Sequence, residues 1–389
     1  MPRIILVAGD PSGDQHAARL VAALTTNVPG VECVGLGGPA MRQAGVVLLD
    51  DLTTAATIGP FDAAKHLGRF VRARRRLRAE LEQRPPDVVI LVDFGDFNLP
   101  VIAPLVKRYR IPIAYYISPQ LWAWGRWRLR YVRRYVDRMI VLFPFEEQFY
   151  RQAGVPVTWV GHPLMDRTTA GLTRDQAFER FGLNRWRRTV GLLPGSRTNE
   201  VARHAPTMLR AAKRIAWQMP GVQFLLLKSP HVPRTQLERL RTHARCDVVI
   251  AEGALDDALP ALDAAIVASG TATLETALRA VPMVVVYQTS WPTYLAARCV
   301  VRVPHIAMVN ILAGRRLVPE FVQQGARPSR IAATVIGLLR DDEQANAMRQ
   351  GLREVTQQLG LPGATNRAAD AVQQLLALGD REKSAGRRP

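Results

Sequence analysis

Four short stretches of the 389-residue chain combine glycine with side chains capable of acid–base or anion chemistry. Gly9-Asp10-Pro11-Ser12-Gly13-Asp14 offers glycines, Gly13 among them, that let a backbone approach a ligand, and a helix start whose free N–H groups attract negative charge. A tight turn capped by Ser12 or Asp14 explains the same residues equally well. The pattern is not the dinucleotide fingerprint, which argues against NAD. Asp93-Phe94-Gly95-Asp96-Phe97-Asn98 crowds Asp93, Asp96 and Asn98 into one loop. A carboxylate in a water-poor cleft can hold a raised pKa and take a proton from an attacking hydroxyl; the plainer alternative is an Asx-turn with a helix cap. Leu193-Pro194-Gly195-Ser196-Arg197 supplies backbone N–H groups, Ser196 and one guanidinium, a set that suits a diphosphate and the charge growing on it as it departs. Ser269-Gly270-Thr271-Ala272-Thr273-Leu274-Glu275 adds hydroxyls for phosphate oxygens. Glu275 lies one turn past Thr271 and suits the hydroxyls of a ribose, although Thr271 and Glu275 also approach capping-box spacing.

Each stretch follows a short apolar run and precedes a helical pattern. Runs at 4–8, 31–36, 87–92, 111–117 and 139–143 read as strands, with helical stretches near 13–25, 62–83, 99–109 and 126–136. The pattern loses its period at about 165–174, taken as a hinge, and restarts with strands at 190–193, 222–228, 248–251, 264–268 and 283–287 and helices over 328–377. Such alternation predicts an α/β chain of two Rossmann-like, doubly wound domains facing a central cleft. Ligands in these sheets sit beyond the carboxyl ends of the strands, where the four stretches fall. The expected division is 1–168, 169–345, C-terminal helices at 346–378 packing back on the first domain, and a flexible tail at 379–389.

The formal charge of +19 favours polyanionic partners: nucleic acid, an anionic membrane or a phosphorylated substrate. Residues 61–83 place Phe61, Leu67, Phe70 and other apolar side chains at loosely helical spacing among Arg72, Arg75 and further cations. A basic amphipathic helix of this kind lies on a membrane surface, and an ordinary solvated helix is the alternative. Trp122-Ala123-Trp124-Gly125-Arg126-Trp127-Arg128 mixes aromatics and cations in a way that suits headgroups, sugars or single-stranded nucleic acid. No apolar run reaches the ~18 residues of a spanning helix, and the first is too short for a signal-peptide core, so a cytoplasmic location is expected. Cys33, Cys246 and Cys299 read as reduced thiols, and no histidine pair has ligand spacing, so neither a metal nor another cofactor is expected.

Taken in order, residues 9–14, Gly37-Gly38-Pro39-Ala40-Met41, 93–98, Ser118-Pro119-Gln120-Leu121-Trp122-Ala123-Trp124, Phe143-Pro144-Phe145-Glu146, Gly161-His162-Pro163, 192–197, 268–275 and Asn310-Ile311-Leu312-Ala313-Gly314-Arg315 resemble the lipid-A-disaccharide synthase family over roughly residues 4–340. The resemblance implies a GT-B fold and the metal-independent, inverting transfer of 2,3-diacylglucosamine from UDP to 2,3-diacylglucosamine-1-phosphate. The product is a β(1→6) disaccharide, made by a peripheral protein on the cytoplasmic face of the inner membrane. It further implies that Asp96 is the general base, that Arg197 contacts the UDP phosphates, that Glu275 lies near the ribose and that Asn310 lies near the nucleotide. Ser12, Gly13, Ser269, Gly270 and Thr271 correspond to loops lining the cleft. The family usually carries glutamate where this chain has Asp10. The partners implied are the UDP-sugar donor, the acylated glucosamine phosphate acceptor and an anionic membrane surface, with a homodimer left open. A UDP-sugar epimerase on the same fold and a nucleic-acid-binding module are the rival readings. The basic, aromatic surface speaks against the first, and the lack of any nucleic-acid motif speaks against the second.

Overall fold

A computed structural model describes residues 1–53, 63–167, 171–230, 232–244, 247–253, 255–301 and 303–385. The chain divides into two units. The first comprises Met1–Asp166 with Leu359–Pro389, and the second Arg167–Gln358.

The first unit is built on seven parallel strands: β1 (Arg3–Ala8), β2 (Glu32–Gly37), β3 (Val47–Asp51), β4 (Val88–Val92), β5 (Ile113–Tyr116), β6 (Arg138–Val141) and β7 (Val157–Trp159), in the order β3-β2-β1-β4-β5-β6-β7. β1 and β4 are buried along their whole length, as expected of apolar runs without alternation that are covered on both faces. The core on one side joins Ile5, Val7, Leu91 and Tyr115 to Leu77 and Leu81 of the helix Ala63–Gln83. The C-terminal helix Ala364–Ala385 packs against the helix Pro11–Asn27. It runs into the segment read as a tail, of which 386–389 lie outside the described residues.

The second unit carries six parallel strands: β8 (Thr189–Leu193), β9 (Gln223–Lys228), β10 (Val249–Glu252), β11 (Ala264–Ala268), β12 (Met283–Tyr287) and β13 (Glu320–Val322), in the order β10-β9-β8-β11-β12-β13. The helices expected over 328–377 are three, and the second of them, Asp342–Gln357, belongs to this unit rather than to a separate C-terminal segment. Strands β3, β7 and β13 were not expected. All three are the outer strands of their sheets on at least one side, they are short, and none has a fully buried face.

Both units are therefore parallel-sheet α/β folds, as expected. In each, the strand order reverses direction at one place. That place lies between β1 and β4, where Ala8 pairs with Val92, and between β8 and β11, where Leu193 pairs with Val267. Crevices at such switch points, outside the carboxyl ends of the strands, are where ligands bind in open α/β sheets. All four glycine-containing stretches start there.

Candidate active site

In the first unit, β1 ends at Ala8 and the helix Pro11–Asn27 begins with Asp10 as its N-cap, the carboxylate accepting from Gly13 N at 2.8 Å. The cap is thus neither Ser12, which is exposed, nor Asp14. Asp14 is buried and reaches a different loop, accepting from the N–H groups of Gly38 at 2.8 Å, Ala40 at 2.9 Å and Met41 at 3.1 Å. A carboxylate with three such donors is a clamp between the ends of β1 and β2.

The loop after β4 is held in a strained form. Asp93 and Phe94 are both left-handed, with φ of 45° and 48°. Consecutive non-glycine residues there cost on the order of 1–3 kcal/mol each and persist only where the surroundings fix them. The Phe94 ring stacks near Phe70 and covers Gly9, where any Cβ would stand 2.0 Å from it. The Asp93 carbonyl accepts from Tyr115 Oη and, at 2.9 Å, from Asn98 Nδ2. Asn98 also donates to the Val7 and Val92 carbonyls at 3.4 Å and is fully buried, so it ties β1 to β4. Its Oδ1 is buried without a hydrogen-bond partner.

The strain presents carboxylates at the strand ends. Asp93 is half-buried, and its pKa is pushed up to about 7 by burial first and by the nearby charge of Asp10 and Asp96. Asp96 sits in the short helical turn Gly95–Phe97 with its side chain exposed, paired with Arg128. A second buried acid, Glu146, is likewise raised to about 7 by burial, although it accepts from Trp122 Nε1 at 3.1 Å and from the Leu142 and Phe143 N–H groups at 3.3 and 3.2 Å. Arg128 and Glu146 were not singled out as site residues. In the aromatic, cationic stretch around Trp122 to Arg128, expected to suit headgroups, sugars or single-stranded nucleic acid, Trp122 donates to Glu146, Trp124 stacks on Arg128, and Trp127 is exposed. Phe143 and Glu146 have capping-box spacing, a local signal for this acid.

The helix Ala63–Gln83 turns Ala73, Leu77 and Leu81 inward. Phe70, expected on the membrane side, packs against Phe97 at 5.1 Å and belongs to that inward face. Arg72 is engaged by Asp50 at 2.9 Å. Leu67 and Arg75 are exposed, and Phe61 lies outside the described residues.

In the second unit, Gly195 has φ of 120°, and the loop after β8 leads into the helix Thr198–Gln218. The N–H groups of Ser196 and Arg197, expected to face a diphosphate, donate to Glu200 at 3.1 and 3.3 Å, and Glu200 also approaches the Arg197 guanidinium at 3.6 Å. Glu200 thus caps the start of this helix from within its first turn. His204 locks the strand ends: its Nδ1 meets the Pro194 carbonyl at 3.0 Å, and its Nε2 accepts from Gln288 N at 3.0 Å. Burial, above all, lowers its pKa, which suits a neutral ring that donates through Nδ1 and accepts through Nε2.

After β11, Gly270 has φ of 155° with open space beside it, and the helix Thr271–Leu278 begins without any side-chain cap, so the capping-box alternative for Thr271 and Glu275 does not hold. Thr271 is exposed and Glu275 half-buried. Ser269 spends its hydroxyl proton on the Ile306 carbonyl at 3.2 Å, which leaves an acceptor rather than a donor for a ligand. Asn310 is fully buried, bonded to both backbone groups of Val318 at 2.8 and 2.9 Å and to Glu320 at 2.8 Å. These bonds hold the loop before β13. A groove of about 640 Å³ lined by Arg315, Arg316, Phe321 and Arg330 shares no residue with these loops. Among the described residues no group of three or more His, Cys, Asp or Glu is placed to hold a metal ion, and no helix is long and apolar enough to cross a membrane.

The family model for lipid-A-disaccharide synthetase matches residues 4–375. The chain belongs to the lipid-A-disaccharide synthetase family. The lipid-A-disaccharide synthase of Syntrophus aciditrophicus is 44% identical over 367 residues, covering 94% of this chain and 96% of that protein. The one from Geobacter sulfurreducens is 42% identical over 374 residues, covering 96% and 97%. The enzymes of this family are glycosyltransferases, and this chain is one of them. Solved structures agree on the fold. A glycotransferase of kitacinnamycin superposes with a TM-score of 0.63 at 18% identity over 97% of this chain and 100% of that one. A putative UDP-N-acetylglucosamine 2-epimerase from Listeria monocytogenes superposes with a TM-score of 0.65 at 15% identity over 97% of each.

Proposed function

We propose that this synthetase transfers 2,3-diacylglucosamine from its UDP form to the 6-hydroxyl of 2,3-diacylglucosamine-1-phosphate, releasing UDP. The observation that carries this reading is the family match across residues 4–375 of a chain whose glycine-containing loops lie at the two switch points. Asp96 takes the acceptor's proton as its oxygen forms the new bond to the anomeric carbon, with inversion. The bond from that carbon to the diphosphate breaks, and UDP leaves with the electron pair. Arg197 and the loop N–H groups meet the growing charge, displacing Glu200 from them. Asp93, close enough to Asp96 for their charges to interact, lies beside it on the acceptor side. Gly270 and Thr271 approach the nucleotide after β11, and Glu275 faces its ribose. Acylated substrates bring the enzyme to the cytoplasmic face of the inner membrane, where Leu67 and Arg75 meet anionic lipid.

Incubation with UDP-2,3-diacylglucosamine and the 1-phosphate acceptor in detergent micelles, followed by mass analysis, tests this. The expected result is a tetraacyl disaccharide-1-phosphate and one UDP per product, lost in Asp96→Asn and Arg197→Ala proteins that fold normally. Absence of disaccharide, or interconversion of UDP-N-acetylglucosamine with its 2-epimer by the wild type, overturns the assignment.

A further inference from the structure

We infer that Arg128 is the positioning residue of the Asp96 carboxylate, holding it in the direction from which it takes the acceptor's proton. The inference rests on the base assignment above and adds a residue to it. Arg128 closes the 3₁₀ turn Arg126–Arg128, and its side chain is 5% exposed, whereas that of Asp96 is 77% exposed. A buried guanidinium needs compensation for lost hydration. Here it has one carboxylate, reached through Nη1, and the face of Trp124 with its centroid at 4.1 Å. Trp127 stands farther off at 5.8 Å. Nε is buried without a hydrogen-bond partner. An incompletely satisfied buried cation is a poor stabilising device, since an apolar side chain of the same volume serves packing as well or better. What the guanidinium supplies is direction, because its planar fork is rigid and its stacking on Trp124 fixes the plane.

The backbone is shaped around this side chain. Gly125 has φ of 74°, and a Cβ there would stand 2.9 Å from Nε and 3.0 Å from Nη2. Gly95, next to Asp96, lies against Pro119, where a Cβ would come within 2.6 Å. The charged groups facing this corner are Asp93 at the end of β4, Asp10 at the start of the helix Pro11–Asn27 and Glu146 at the start of the helix Pro144–Gln152, all acidic. Arg128 is the cation set among them, and it contacts the one carboxylate assigned the proton transfer.

The test uses four full-length proteins: Arg128→Met, Arg128→Lys, Asp96→Asn and the double variant Arg128→Met/Asp96→Asn, each checked for folding by circular dichroism. Misdirecting a base by about an ångström costs roughly 10- to 100-fold in turnover. Arg128→Met is expected to lose kcat in that range with little change in the KM of the donor. Arg128→Lys restores the charge without the fork, so it recovers part of the kcat but not all of it. If Arg128 acts through Asp96, the double variant is no slower than Asp96→Asn. A further 10- to 100-fold fall in the double variant, or a raised donor KM with kcat unchanged in Arg128→Met, overturns the inference while leaving the function intact. Near-wild-type turnover in Asp96→Asn overturns the base assignment and this inference together. Should Arg128→Met not fold, Arg128→Lys in the two Asp96 backgrounds makes the same comparison.

Discussion

Replacing Asp93 by asparagine should make the protein more stable at alkaline pH and much less so in acid. In the native protein burial, Asp10 and Asp96 hold the Asp93 proton up to about pH 7, against an ordinary value of 3.8. The folded state therefore keeps a proton that the unfolded chain has already released, and stability falls as pH rises through this interval. At about 1.4 kcal/mol per pH unit the full loss is ~4 kcal/mol once Asp93 ionises in the native state. Asparagine is nearly isosteric, neutral at every pH, and well suited to the left-handed backbone at φ 45°. The advantage of Asp93→Asn over wild type should grow by about 3 kcal/mol between pH 5 and pH 8.5. Urea denaturation of both proteins at the two pH values, followed by tryptophan fluorescence and far-UV circular dichroism, measures it. The raised Glu146 is common to both and largely cancels in the difference. An advantage that stays constant across the range, or shrinks as pH rises, refutes the reasoning.

Three further outcomes follow from the same geometry. Glu200→Gln removes the carboxylate charge from the loop N–H groups and Arg197, and UDP measured by calorimetry should bind roughly three- to five-fold more tightly; weaker binding would show that Glu200 supports the site instead of occupying it. His162 is buried, with its pKa lowered to about 3, so the wild type should lose ~2 kcal/mol between neutrality and pH 5, as the unfolded chain takes up a proton the folded one refuses. A His162→Gln protein should lack that acid slope in denaturation experiments. Asp14→Ala strands three N–H groups and should lower stability by ~3 kcal/mol, read as a fall in melting temperature; a loss below 1 kcal/mol would deny the clamp.

The strands that carry the site were legible because their apolar runs are unbroken and buried on both faces, as at Val88–Val92 and Ala264–Ala268. The outer strands β3, β7 and β13 were not, since short, half-buried segments lack both a continuous apolar run and a clean alternation. The loops bearing Asp96 and Arg197 were visible from their glycines and charged residues. What escaped was partnership over long sequence separations. Nothing near Asp14 announces its bonds to Gly38 and Met41, nothing local links Arg128 to Asp96, and His204 gives no sign that it bridges Pro194 and Gln288. For the same reason the bonds by which Asn98 ties β1 to β4 and Asn310 holds the loop before β13 had no local signal.

The first unit is assembled from both ends of the chain, with the second inserted between them. A ribosome delivers polypeptide from one end only, so all of the inserted unit has been made while its host still lacks the helix Ala364–Ala385. The nucleotide-fold half that is second in sequence can therefore be first to mature. A stalled or clipped product ending near Gln358 would contain a finished insert attached to a host with the flank of the helix Pro11–Asn27 bare, a lesion for proteolytic quality control to find far from the loops that do the chemistry.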